Sequence, residues 1–95
     1  MKLIAYDVST IDRAGQKRLR RVARACQDFG VRVQKSLFEC KVGRTEWAVL
    51  RERLLREIDS EHDSLRIYHL DEDTGKETEH HGISKPVDLS SPLVL

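Results

Sequence analysis

The stretch that decides the fold is Met1-Lys2-Leu3-Ile4-Ala5-Tyr6-Asp7-Val8. Leu3 to Tyr6 is apolar at every position, so both faces of an extended chain would be apolar there. That pattern reads as a central strand buried front and back. Asp7 stands where the apolar run gives out. The sheet holds the backbone of a strand-end carboxylate stiff, which suits the group to holding a metal ion or a proton. The same residue would also serve as a turn former or cap for the Ser9-Thr10 bend. From this stretch alone both roles stay open.

The next segment is unusual in its charge. Asp12 is a fair N-cap for a helix running to about Phe29, where Gly30 supplies a stop. Leu19, Val22, Ala23, Cys26 and Phe29 recur at helical spacing and predict the buried stripe. The other side carries Arg13, Lys17, Arg18, Arg20, Arg21 and Arg24, with no acid between residues 13 and 24. Solvated helices normally mix signs, because i,i+4 ion pairs help and like charges repel. A helix that accepts such repulsion points to an anionic partner.

Val31 to Gln34 and Leu37 to Val42 read as two short strands around Lys35-Ser36. In the second, Phe38, Cys40 and Val42 alternate with Leu37, Glu39 and Lys41. Thr45 is the expected cap of a second helix with an apolar stripe of Trp47, Leu50, Leu54 and Ile58; Glu52 and Arg56 are favourably paired on its outer face. Ser64 to Leu70 is the next strand. The order βαββαβ is the split βαβ arrangement, an α+β ferredoxin-like fold with an antiparallel sheet whose helices cover one face. A first strand apolar on both faces needs a second cover, and a homodimer packing sheet against sheet supplies it. We expect a ferredoxin-like domain over residues 1–78 and a tail over 79–95. Glu77 to His81 reads as polar and unpatterned. Val87 to Leu89 is expected to add a short strand to a sheet edge of the dimer partner.

The bulk numbers exclude several classes. A chain of 95 residues is one domain with a modest core, burying about 65% of its unfolded surface. No apolar run approaches the roughly 18 residues of a membrane helix, and no signal-peptide pattern opens the sequence. Cys26 and Cys40 lie within apolar patterns as small hydrophobes, so a cytosolic protein is expected. The net charge of +1 conceals an asymmetry: residues 1–56 hold 14 of the 17 Lys and Arg against 6 of the 16 Asp and Glu, a net of +8. The remainder is correspondingly acidic. One face for a polyanion follows.

Metal and catalytic motifs are few. Asp71, Asp73 and Gly75 lack the spacing of a calcium loop, and His80-His81 with either cysteine lacks zinc spacing. His62 and His69 read as a surface and a strand residue. No nucleophile elbow, Walker loop or dinucleotide fingerprint occurs. Tyr6 and Phe38 do not make the aromatic pattern of a base-stacking RNA reader. Magnesium, however, keeps several waters and takes one or two carboxylates plus substrate phosphates. A two-fold axis near the first strand would pair two copies of Asp7, with the basic side chains positioning a phosphodiester backbone and the metal activating water.

Tyr6-Asp7-Val8, the Arg-rich first helix, Gly30-Val31-Arg32-Val33-Gln34-Lys35-Ser36-Leu37-Phe38-Glu39-Cys40 and Asp63-Ser64-Leu65-Arg66-Ile67-Tyr68 together resemble the small dimeric CRISPR-associated adaptation protein family, whose members are described as metal-dependent endoribonucleases or endonucleases. The resemblance covers residues 1 to about 70. It implies a ferredoxin-like homodimer with Mg2+ between paired Asp7 carboxylates, and assembly with the CRISPR integrase subunit on DNA destined to become a spacer. Asp7 matches the family's metal-binding and catalytic aspartate, and Tyr6 its neighbour. Arg21, or Arg20 in its place, and Arg32 match backbone-contacting arginines; Ser36 and Phe38 lie in the matching strand turn beside the site. The expected function is therefore spacer acquisition, with nucleic-acid binding through Arg13, Lys17, Arg18, Arg20, Arg21, Arg24 and Arg32. The alternatives are a catalytically silent duplex-DNA scaffold for the integrase and a small-molecule-binding regulatory domain.

Overall fold

A computed structural model describes residues 1–70 and 78–83. Its elements follow in the order β1 (Lys2–Asp7), α1 (Arg13–Phe29), β2 (Val31–Gln34), β3 (Leu37–Cys40), α2 (Arg44–Glu57), β4 (Ser64–His69) and β5 (Thr78–Gly82). The strands form one antiparallel sheet in the order β2-β3-β1-β4-β5. β1 is thus the central strand, as its doubly apolar sequence requires. The arrangement is the expected α+β, ferredoxin-like one.

Strand alternation sorts the sheet into two unlike faces. Ile4, Tyr6 and Val8 join Phe38, Cys40, Leu65 and Ile67 in one core with Val22, Ala25 and Cys26 of α1 and Leu50 and Leu54 of α2. Both helices therefore lie on this face. Full burial of a side chain such as Ile4, Phe38 or Leu50 contributes about 2 kcal/mol, against less than 1 kcal/mol for a surface ion pair. Burial under the helices is what orders the fold. The alternate positions, Leu3, Ala5 and Asp7 on β1, Leu37 and Glu39 on β3, and Ser64, Arg66 and Tyr68 on β4, lie on the opposite face.

Local chemistry sets the element ends. Asp12 caps α1, its carboxylate accepting from the Gly15 N–H at 2.8 Å. The loop before the helix packs so closely that a Cβ at Gly15 would collide with the Ser9 carbonyl oxygen. The cap of α2 is Gly43 rather than Thr45: the Glu46 side chain reaches back to accept from the Gly43 N–H at 3.0 Å, which starts the helix two residues earlier. β3 stops at Cys40, short of the expected Val42, because its ladder partner Lys2 is the first residue of β1.

A further sequence expectation is overturned, that of an unpatterned segment after the fourth strand. Glu79 to His81 belongs to β5, paired with β4 in the register Leu65↔His81, Arg66↔His80 and Ile67↔Glu79. No apolar alternation marks this strand because ions hold it in place. Glu79 accepts from Arg51 Nε of α2 at 2.9 Å and contacts His69 Nε2 at 3.1 Å and His81 Nε2 at 3.2 Å. The division at 78/79 falls inside this strand. The acidic turn from Asp71 to Gly75 and the expected strand at Val87 to Leu89 lie outside the described residues. Among the described residues, no helix is long and apolar enough to cross a membrane.

Candidate functional site

Asp7 closes β1 opposite Ser64 of β4, on the sheet face that the helices leave uncovered. On its other flank the Tyr6 N–H donates to the Ser36 carbonyl in the β2–β3 turn at 3.1 Å. The backbone is thus held from both sides while the side chain is exposed. Among the described residues its carboxylate has neither a hydrogen bond nor an ion pair.

A second aspartate lies beside it and was not singled out by its sequence. Asp63 is 0% exposed. Its carboxylate accepts from the Ser9 N–H at 3.1 Å, the Asp59 N–H at 2.8 Å, and Arg18 Nε and Nη2 at 2.8 and 3.2 Å. Its backbone carbonyl accepts from the Ile83 N–H at 2.8 Å, and a Cβ at Gly82, which has φ +96°, would collide with that oxygen. The β1–α1 loop, α1, the α2–β4 loop and the end of β5 are all tied to this one residue. It keeps the frame around Asp7 in place.

Tyr6 and Phe38 were expected beside Asp7, but their rings lie in the core under the helices, 6.1 Å apart and stacked. Consecutive strand residues point to opposite faces, so Tyr6 cannot share a face with Asp7. Burial pushes the Tyr6 hydroxyl up to about 12, with Cys26 adding to the rise and the charge and hydrogen bond of Arg32 opposing it. The Arg32 guanidinium also covers the Phe38 ring at 5.1 Å. Arg32 therefore closes one edge of the core. Ser36, the third residue expected to line the site, meets the end of β1 through its carbonyl, which accepts from the Tyr6 N–H. Both cysteines are buried free thiols, pushed up by burial to about 12 at Cys26, with Cys40 contributing, and about 11 at Cys40.

The basic helix divides into two groups. Arg13, Lys17 and Arg20 are exposed and have no partner among the described residues. Arg18 is committed to Asp63, whose hydrogen bond raises its pKa, while Arg21 faces Glu57 at 3.8 Å and Arg24 faces Asp28 at 3.6 Å. The acids missing from residues 13–24 are supplied by the end of α1, by α2 and by the loop before β4. Arg66 is a further cation on the open face, directly opposite Ala5 and diagonal to Asp7. Its Nε is buried without an acceptor.

Metal capacity rests on carboxylates. Asp59, Glu61 and His62 bring ligand atoms within 4.8 Å of one another. Their atoms are engaged in shaping the loop: the Asp59 carboxylate accepts from the Glu61 N–H and contacts His62 Nδ1, and these two hydrogen bonds hold its pKa below the usual carboxylate range. Asp7, by contrast, offers a hard oxygen donor that makes no ion pair among the described residues. One such carboxylate fits an ion that keeps most of its waters and completes its shell with phosphate oxygens or a second carboxylate.

The fold and this site define a small ferredoxin-like α+β protein with an exposed strand-end carboxylate and an arginine-rich first helix. Residues 1–78 match the family described as CRISPR associated protein Cas2. The chain is 53% identical over 93 residues to "CRISPR-associated endoribonuclease Cas2 1" of Moorella thermoacetica, covering 98% of this chain and 97% of that protein. It is 49% identical over 92 residues to "CRISPR-associated endonuclease Cas2" of Halalkalibacterium halodurans, covering 97% and 96%. The crystal structure of Streptococcus pyogenes Cas2 at pH 6.5 superposes with a TM-score of 0.68 at 45% identity, over 79% of this chain and 90% of that one. The chain belongs to the Cas2 family of CRISPR-associated proteins.

Proposed function

We propose that this chain is a cytoplasmic CRISPR adaptation protein. It works as a homodimer, binds nucleic acid, and hydrolyses phosphodiesters with Mg2+ at paired Asp7 carboxylates. The observation that carries the reading is Asp7 itself, an exposed acid without a partner among the described residues, on the uncovered face of the sheet. The names of the relatives support phosphodiester cleavage, with RNA in one case. Asp7 would hold the ion, which when bound supplies an activated water and charge neutralisation at the phosphodiester. Arg13, Lys17 and Arg20 draw in the phosphate backbone, and Asp63 fixes the loop that frames the site. The open face of β1 receives the second copy, the tail beyond β5 docks on that partner through Val87 to Leu89, and the integrase subunit completes the assembly.

Mg2+-dependent cleavage of RNA, single-stranded DNA and duplex DNA by the pure protein, with EDTA controls, tests this reading. Cleavage that EDTA and Asp7→Ala both abolish is expected. Cleavage that survives Asp7→Ala overturns the assignment. A second reading, a catalytically silent DNA scaffold for the integrase, is favoured by each chain bringing one carboxylate, Asp7, to the end of β1. Normal spacer acquisition by Asp7→Ala, with the integrase subunit still co-purifying, selects it.

A further inference from the structure

The sheet face away from the helices carries two polar groups that the chain itself does not satisfy. Among the described residues, Gln34 Oε1 on β2 and Arg66 Nε on β4 are buried side-chain atoms without a hydrogen-bond partner. One is an acceptor and the other a donor. Buried polar groups of native proteins are paired almost without exception, because an unmade bond is costly. The backbone sets both residues on one row. Gln34 is the ladder partner of Leu37, Leu37 of Ala5, and Ala5 of Arg66. Directly opposed strand residues share a face. Gln34 reaches this face because β2 is irregular: Arg32 stands opposite Phe38 and Gln34 opposite Leu37, so Val33 is an extra residue between them. A regular strand would send Gln34 to the helix side with Arg32, and the bulge turns it over. Leu37 and Ala5 lie between the two polar groups as an apolar floor. Three strand spacings, about 14 Å, separate β2 from β4, and the two atoms do not meet within the chain.

We propose that Gln34 and Arg66 are positioning residues that align two copies of the chain at Asp7: Gln34 Oε1 of each copy accepts from Arg66 Nε of the partner subunit. A two-fold axis makes every contact twice, so a self-complementary surface needs an acceptor and a donor side by side. The strand order β2-β3-β1-β4 says where that axis runs. To bring Gln34 of one copy over Arg66 of the partner subunit, it passes midway between β2 and β4, along the strands and between β3 and β1. Asp7 closes β1, half a strand spacing from that line. The two Asp7 residues then stand at the same level on facing sheets, offset sideways by one strand spacing of about 4.8 Å. Both bonds have a charged donor, which makes them the stronger kind. Gln34 and Arg66 lie one row away from Asp7, so they act on the paired carboxylates through the way the copies dock. The inference rests on the homodimer proposed above and names the pair that sets its register.

Sedimentation equilibrium of the full-length protein gives the dimer dissociation constant. Arg66→Met and Gln34→Leu should each raise it on the order of a hundredfold, about tenfold for each of the two symmetry-related bonds. The swap Gln34→Arg/Arg66→Gln exchanges donor and acceptor and should recover most of the loss, a gain that misfolding cannot imitate. A short bismaleimide reads the register itself. It should join two Asp7→Cys copies across the axis, while Cys26 and Cys40 are buried and do not compete. Adding Arg66→Met should abolish that cross-link even at protein concentrations where the variant is dimeric. Single variants that dimerise as the parent does, or a swap no better than they are, overturn the pair. So does a cross-link that Arg66→Met leaves intact. If dimerisation is unchanged and oligonucleotide binding falls instead, Arg66 serves a phosphate and the pair is again overturned. A parent that stays monomeric overturns the proposed homodimer and the pair with it.

Discussion

Asp7 and Asp63 stand at the same end of the sheet, one closing β1 and the other preceding its ladder partner Ser64 on β4. Asp63 is fully buried, with two backbone N–H groups and the Arg18 guanidinium donating to it. Asp7 is exposed, and its carboxylate has no donor among the described residues. Two identical side chains at one end of the sheet are thus set apart by their partners rather than by their position. A carboxylate whose lone pairs are filled by the chain is part of the fold. One held on a rigid strand with its lone pairs open is available to something outside the chain.

Exchanging each acid for alanine breaks this comparison most directly. Asp7→Ala should leave the melting temperature within the small range of surface substitutions, about 0.5 kcal/mol. Metal-dependent cleavage should fall on the order of 10³-fold, since the charge stabilisation supplied by an ion is worth several kcal/mol. Asp63→Ala should do the reverse. It strands the Ser9 and Asp59 N–H groups and leaves Arg18 half-buried without its counter-ion, a loss of about 3–5 kcal/mol. For a domain of this size that lowers the melting temperature by roughly 15 °C, measurable by calorimetry or circular dichroism. A stable Asp63→Ala protein with defective cleavage would mean that Asp63 acts in the site and not in the frame.

The same contrast explains what the sequence could and could not show. The central place of β1 was legible because Leu3 to Tyr6 is apolar on both faces, and the limits of α1 because Asp12 and Gly30 bracket a helical stripe. Asp7 was legible because it ends the apolar run. Asp63 was not, because Arg18 lies 45 residues away and Ser9 lies 54 away, and only the fold brings them together. The α1 arginines looked unopposed for the same reason: Glu57 and Asp63 reach them from beyond the helix. β5 carries no hydrophobic alternation to read, since a carboxylate holds its inner face. Tyr6 was placed beside Asp7 by adjacency in the chain, although strand alternation already sends the two residues apart.

Glu79 lies between the two aspartates in character, buried enough to matter and exposed enough to titrate. Burial pushes its pKa up, but the hydrogen bonds from Arg51, His81 and His69 outweigh this and pull it from 4.5 down to about 2. A carboxylate whose pKa is depressed in the folded state stabilises fully above its unfolded value. That contribution disappears as the pH falls from about 4.5 through about 2. Glu79→Gln should therefore cost about 2 kcal/mol at neutral pH and flatten the acid limb of the stability profile over that window. If both proteins lose stability in parallel on acidification, Glu79 is not what fixes β5 to α2.

The smallest effect belongs to an ion pair with no burial behind it. Arg56 Nη2 donates to Glu52 Oε1 at 3.2 Å, one turn apart on α2, and the two side chains are 67% and 76% exposed. Water and salt screen such a pair, and holding two long side chains together offsets most of the attraction. Glu52→Gln should shift stability by no more than about 0.5 kcal/mol in urea unfolding, with the shift vanishing at high salt. The salt dependence is the sharper half of this test. Asp63 accepts from donors fixed by the fold and shielded from ions, so the destabilisation in Asp63→Ala should persist at the salt concentration that erases the Glu52 effect. If both effects faded together, long-range charge balance, and not local partnership, would be what distinguishes the acids of this chain.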